Sequence, residues 1–289
     1  MKSTPKPASS PLAAAPGPET TEQEFAALLS EPLANSWPAQ PGSASPALAA
    51  VRGRLLGRLA ASQAASRPMV TARRLRLPAQ TLAPGVQLRS LYRANTAQPA
   101  RPGEPLHACL LELAAGARLP ALAHAHLHRE WLLLSGTLML GEQLRLAPHD
   151  YHVQPAGTPS LALHSEDGAL LFLRESTLPA QPGEQPFTVH DQAAAWPDYA
   201  PGIQRRVLWQ REGQAALLYR AQPGAQVPQH RHGHDEECLM LQGELFLDDM
   251  LLQAGDYQLA PAGSGHRITE TDTGVVIYAH GDLDLQFED

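Results

Sequence analysis

The chain repeats itself, and that constrains its fold more than any other feature. Leu82-Ala83-Pro84-Gly85-Val86-Gln87 returns as Tyr199-Ala200-Pro201-Gly202-Ile203-Gln204, and Leu134-Ser135-Gly136 returns as Leu241-Gln242-Gly243. Asp150-Tyr151 with Gln154-Pro155-Ala156-Gly157 returns as Asp256-Tyr257 with Ala260-Pro261-Ala262-Gly263. A period close to the size of a domain means two copies of one fold. Both copies hold short apolar runs, such as HACLLEL, EWLLLSGTLML, AALLYRA and GVVIYAH, cut by Gly, Pro and Asp turns. Many short strands without a long helical period predict antiparallel jelly-roll barrels. The expected fold class is all-β, with tandem barrels over 69–178 and 187–289 joined through TLPAQPGEQP. Residues 1–68 read as a short helical, partly disordered N-terminal segment.

Two cysteines, Cys109 and Cys238, exclude a disulfide framework and fit a reducing compartment. With no run of eighteen apolar residues and no apolar core to its N-terminus, the expectation is a soluble cytoplasmic protein. The net charge of −7 is unevenly spread: residues 32–103 contain ten arginines and not one Asp or Glu. Within that basic stretch a helix is predicted over 47–61, with Leu48, Val51, Leu55, Leu56 and Leu59 on one face and Arg52, Arg54 and Arg58 largely on the others. Such a helix suits docking on its own barrel, a second subunit or a protein partner. No aromatics interleave with its arginines, which argues against direct nucleic-acid binding. A capping box, Thr21-Glu22-Gln23-Glu24, predicts a further short helix before Pro32.

The chemistry-bearing segment is PGAQVPQHRHGHDEECLMLQGELFLDDMLLQAGDYQLAPAGSGHRITE. His230 and His232 are two apart, so on an extended strand both point to one face. Glu236 and, beyond a turn, His266 complete three imidazoles and one carboxylate, a set that suits a divalent first-row metal with open positions. His234 and Glu237 are the competing ligands. A His-rich surface loop would share the composition of RHGHDEE but would not require His266 beyond the turn. Cys238, inside the apolar run CLML, reads as a core residue.

The spacing resembles the two motifs of the cupin superfamily. Gly224, His230, His232, Glu236 and Gly243 match the first at every step; Gly255, Pro261, Gly263 and His266 match the second, with Glu270 in place of its terminal Asn. Glu236 rather than Glu237 preserves the six-residue gap to Gly243. The first copy offers His124 or His126 with Glu130, but Ser160 stands where His266 stands in the second, leaving His164 or His152 as substitutes. The first barrel is therefore the expected weaker site.

The second copy, with PGAQVPQHRH, the Glu pair and AGDYQLAPAGSGH, further resembles the cupin of ChrR-like anti-sigma factors. That resemblance implies metal ligands at His230, His232, Glu236 and His266, with zinc the expected ion and Fe, Mn or Ni alternatives. It also implies a regulator that acts on a sigma factor, here through the basic N-terminal helix. The family's sigma-binding domain uses a His-x3-Cys-x2-Cys zinc site, whereas this chain has no His or Cys before His107. Sigma binding here would have to proceed without that metal. The second function class is a non-haem metal-dependent dioxygenase acting on a small molecule held in the barrel. A homodimer is compatible with either.

Overall fold

The computed structural model describes residues 46–66, 68–95 and 101–287. The disordered stretch and capping-box helix expected within residues 1–31 lie outside them. The chain divides into two compact units, residues 1–57 and 58–289. A helix runs over Pro46–Ser66, longer at both ends than expected, and leaves Val51, Leu55 and Leu56 exposed. No helix among the described residues is long and apolar enough to cross a membrane.

The described residues after the helix, 68–95 and 101–287, form two jelly-roll barrels. The main sheet of the first runs in the order Phe187–Val189, Tyr151–Gln154, His128–Gly136, Ala169–Ser176, Pro105–Leu113, Val86–Arg93 and Gln80–Ala83. A smaller sheet of Arg118–Leu119, Leu163–His164, Leu138–Leu140 and Leu144–Leu146 accompanies it. In the second barrel the equivalent order is Val70–Ala72, Tyr257–Ala260, Glu236–Leu247, Val275–Asp282, Gln214–Ala221, Ile203–Arg211 and Asp198–Ala200. The outermost strands are exchanged. Val70–Ala72, at the head of the first repeat, pairs with Tyr257–Ala260 of the second barrel, and Phe187–Val189 pairs with Tyr151–Gln154 of the first. Each barrel thus covers an edge of the other's sheet that would otherwise present unpaired backbone groups.

The repeated glycines of the LSG and LQG motifs have a steric reason. A Cβ on Gly136 would sit 2.0 Å from the carbonyl oxygen of Gly168, and one on Gly243 would sit 2.0 Å from that of Gly274. Both residues also have positive φ, at 81° and 73°.

Period-two alternation sorts each strand between two environments. From His128–Gly136, Trp131 and Leu133 enter the core of the first barrel, while Leu132 enters a separate core shared by both barrels. From Glu236–Leu247, Cys238 and Met240 enter the core of the second barrel, and Leu239 enters the shared one. The shared core also holds Tyr151, Phe172, Trp209, Leu218, Tyr257 and Tyr278. The barrel interiors differ. Leu111, Leu138, Leu140, Leu146, Leu163 and Leu171 help fill the first, whereas the buried cluster of the second includes Cys238, Met240, Leu245, Leu247, Leu252 and Val275.

The shared core encloses a buried ion network. Arg174 donates Nη1–H to Glu130 Oε1 at 2.9 Å, Nη2–H to the Gly103 carbonyl at 2.6 Å, and Nε–H to Glu237 Oε2. Tyr151 and Tyr278 donate to Glu130, and Tyr257 donates to Glu237 at 2.7 Å. His280 Nε2 lies 3.3 Å from Glu130 Oε1. Burial alone would push the Glu130 carboxyl up. His280 and Arg174 outweigh it and hold the group well below the usual carboxylate range. Arg174→Leu would leave two buried carboxylates without their common cation. It is expected to destabilise the fold by about 3–5 kcal/mol, read as a lower urea midpoint at unchanged slope.

Candidate metal centre

The second-motif hairpin and the HxH segment meet as a short antiparallel ladder. His230–Arg231 pairs with Gly265–His266, and His230 stands directly opposite His266. The close approach needs glycine: a Cβ on Gly265 would lie 2.3 Å from the His230 carbonyl oxygen. Beyond the ladder, His232 N–H donates to the Ser264 carbonyl at 2.9 Å and Gly263 N–H to the His232 carbonyl at 2.7 Å. The three imidazoles therefore cluster, with ring centroids 5.2 Å apart for His230–His232, 5.8 Å for His230–His266 and 5.2 Å for His232–His266.

Glu236 opens the next strand on the interior face, opposite Gly281, whose missing side chain leaves it room; a Cβ there would lie 3.2 Å from Glu236 Cα. One nitrogen each of His230 and His232 and one Glu236 oxygen lie within 4.8 Å of one another. His266 joins this group by ring contact rather than within that donor distance. Glu237 points the other way, into the ion network, and His234 turns aside to Asp282 with Nδ1 2.5 Å from Oδ1.

The donor set fits a metal. His230, His232 and His266 are all buried, and neither ring nitrogen of His232 has a hydrogen-bond partner. Its Nδ1 is 2.9 Å from Glu236 Oε2 but without the alignment of a hydrogen bond. Buried, unsatisfied ring nitrogens facing a carboxylate are costly unless a cation lies between them. Two of the rings are oriented from behind. His230 Nδ1 is 2.9 Å from the Pro228 carbonyl, which leaves Nε2 for an ion. His266 Nδ1 lies 3.4 Å from Asp248 Oδ2.

Asp248 was not singled out in the sequence. It occupies a two-residue turn between Glu236–Leu247 and Met250–Gln253 with φ of 55°, a conformation Asp tolerates. Its Oδ1 accepts the backbone N–H of Arg267 at 2.9 Å and of Ile268 at 3.3 Å, so the turn fixes the segment that carries His266. The LDDM pair at a hairpin tip was the available signal.

Electrostatics reinforce the grouping. Burial raises the Glu236 carboxyl, yet His232, with His230 and His266 behind it, brings the group down to about 2. Burial lowers His230. Burial also disfavours the charged form of His232, but Glu236 overcomes that and raises it above the ordinary histidine value.

The first barrel has lost this arrangement in an instructive way. Parity places Arg129, not Glu130, at the position of Glu236; Glu130 corresponds to Glu237 and faces the shared core, which removes it as a ligand candidate. Buried Arg129 donates to Glu175 Oε1 at 2.8 Å, to Ser160 Oγ at 2.7 Å, and to the carbonyls of Ala123 and His124. Ser160 and Glu175 correspond to His266 and Gly281, so a guanidinium lies among the counterparts of the second barrel's site. His124 and His126 are exposed. His152 Nδ1 contacts Thr188 Oγ1 at 2.9 Å, and His164 pairs with Arg118 and Met139 in the small sheet.

Residues 184–284 match the family model of the ChrR cupin-like domain. A search of curated proteins returns no match. Among solved structures, a candidate dioxygenase of Nostoc punctiforme PCC 73102 aligns with TM-score 0.59 at 16% identity, covering 75% of this chain and 84% of that one. The oxalate decarboxylase of Lactobacillus farciminis, solved with formate, aligns with TM-score 0.57 at 14% identity over 75% of this chain and 87% of its own. That of Bacillus subtilis, known for its Mn(II) centres, aligns with TM-score 0.54 at 14% identity over 74% and 77%. At these identities the likeness is one of fold.

Metal titration should give one tight equivalent per chain. Asp248→Asn is expected to weaken it about 10–100-fold, and His232→Ala to abolish it. Affinity should climb as pH rises through and above the ordinary histidine range, because the ion must displace the His232 proton. Glu236 remains ionised down to about pH 2 and adds no further dependence above that. Equal loading at pH 5 and pH 8 would contradict this. The sequence match and the strand order agree: the second barrel is a ChrR cupin-like domain, joined to a first barrel of the same fold.

Proposed function

We propose that this chain is a metal-binding bicupin regulator whose second barrel holds one divalent ion through His230, His232, Glu236 and His266. The observation that carries the reading is the buried cluster in which ligand atoms of His230, His232 and Glu236 lie within 4.8 Å of one another, with His232 Nε2 buried and without a hydrogen-bond partner. Zinc is the ion that the ChrR likeness favours; the Mn(II) centres of the Bacillus subtilis oxalate decarboxylase make manganese the first alternative. The ion supplies a fixed positive charge and open coordination positions.

The regulatory output is assigned to the helix Pro46–Ser66. Its arginines and its exposed Val51, Leu55 and Leu56 suit a protein surface of mixed acidic and apolar character. Within the ChrR likeness, the expected partner is an extracytoplasmic-function sigma factor, bound without a second zinc. A tagged chain should co-purify with such a factor, and Leu55→Asp should abolish capture at unchanged metal content. Capture that survives Leu55→Asp would refute the assignment.

A second reading, a metal-dependent dioxygenase, is favoured by one observation. A cavity in the second barrel reaches His230 and Glu236. Oxygen uptake by the iron-loaded chain in the presence of a small-molecule library would separate the two, since a regulator consumes none.

A further inference from the structure

The strand that makes room for Glu236 ends in an acid. Gly281 lies against Glu236, and the next residue, buried Asp282, closes the strand Val275–Asp282. Asp282 reaches the segment that joins His232 to Glu236. Its Oδ2 accepts the backbone N–H of Gly233 at 2.5 Å, and its Oδ1 lies 2.5 Å from Nδ1 of His234. Gly233 permits the approach: a Cβ there would sit 3.1 Å from Asp282 Oδ1 and 2.6 Å from Gln286 Nε2.

That segment has to be held from outside. The strand of the HxH pair ends at Arg231 and the next begins at Glu236, so residues 232–235 belong to no strand. Both ends of the segment must nevertheless aim at one place, since ligand atoms of His232 and Glu236 lie within 4.8 Å of each other. The backbone bonds of His232 with Ser264 and Gly263, and Ala262 N–H to Asp235 Oδ1 at 2.8 Å, tie the segment to the second-motif turn. Asp282 adds the tie to the strand beside Glu236.

The repeat supplies a comparison. Ser176 stands where the second barrel has Asp282, as Glu175 stands where it has Gly281. Ser176 Oγ accepts Leu178 N–H at 3.4 Å, within its own strand end, and Leu127 N–H in the corresponding segment turns back to the His124 carbonyl. His124 and His126 are exposed. The acid and the inward-facing HxH pair occur together in one barrel and are both missing from the other.

We infer that Asp282 is a positioning residue of the metal site: by clamping Gly233 and His234 it sets the bend that brings His232 and Glu236 to one ion. It is not itself a ligand, because both of its oxygens are engaged by the segment. Hydrogen bonds to a carboxylate are short and strong, and partners behind the ligands fix how those ligands point. Asp248 does the same for the segment that carries His266. The inference rests on the metal-binding reading of this barrel.

The test is titration of the metal-free full chain with Co(II), read by visible absorption. Asp282→Ala should weaken binding about 10–100-fold and change the spectrum of the loaded site. Asp282→Asn retains an acceptor for Gly233 N–H and should fall between the parent and Asp282→Ala. Ser176→Ala, at the same position in the first barrel, should bind as the parent does. If Asp282→Ala does not fold, Asp282→Asn and His234→Ala decide by the same two readouts, each expected weaker than the parent with an altered spectrum. Parent-like affinity in these variants would overturn the inference. Weaker binding with an unchanged spectrum would do so too, as the mark of lost charge rather than of displaced ligands. A parent chain that binds no Co(II) sinks the metal reading itself, whereas a parent that binds and variants that match it sink the clamp alone.

Discussion

One guanidinium holds the two barrels in register. Arg174 is buried between Glu130 of its own barrel and Glu237 of the other. These carboxylates are counterparts in the repeat, each receiving a tyrosine hydroxyl from the counterpart pair Tyr151 and Tyr257. Two buried carboxylates that close to each other would repel, and neither would stay ionised in an apolar interior. A cation placed between them turns the repulsion into a three-centre attraction that exists only when both barrels are in place. The apolar residues around it contribute most of the burial energy, but they are non-directional. The arginine supplies the orientation, and the strand exchange of Val70–Ala72 and Phe187–Val189 preserves it along the sheets.

The same alternation explains how one barrel can hold a metal and the other cannot. A strand passing between two cores sends successive residues to opposite sides, so Glu236 and Glu237 have unrelated roles despite being neighbours. In the first repeat the interior position is Arg129, whose own positive charge takes the place of an ion's. Its partners, Glu175 and Ser160, occur where the second barrel has Gly281 and His266. A guanidinium thus lies among the counterparts of the residues proposed to hold an ion in the second barrel. A guanidinium cannot dissociate, so the first barrel's site is permanently filled. Arg129→Glu with Ser160→His would still leave His124 and His126 exposed, which is why a simple exchange of residues is not expected to restore tight binding there.

Much of this was legible in the sequence because it depended on spacing. The repeat required two like barrels, and the HxH parity with the Gly255-to-His266 spacing brought the three imidazoles together. Glu130 misled because the first repeat has one residue fewer between His126 and Arg129-Glu130 than the second has between His232 and Glu236-Glu237, so matching on HxH alone shifts the strand by one and exchanges its faces. Asp248 went unnoticed because its role lies in a turn conformation and a backbone contact, neither of which has a periodic signature. The exchanged strands were equally hidden. Three residues of VTA or FTV carry no information about which sheet edge will accept them, and that choice is settled only when the two barrels pack.

The different interiors of the two barrels follow from the same division of labour. A barrel whose interior supports a metal site must place polar ligands at one end and cannot pack leucines against them without burying unpaired nitrogens. Its buried cluster is Cys238, Met240, Leu245, Leu247, Leu252 and Val275, and a small cavity lies beside His230 and Glu236. The first barrel, with Arg129 at the counterpart position, fills its interior with leucines and Trp131. The first barrel is then intelligible as structure: it buries one face of the second in the shared core and provides Arg174 to Glu237.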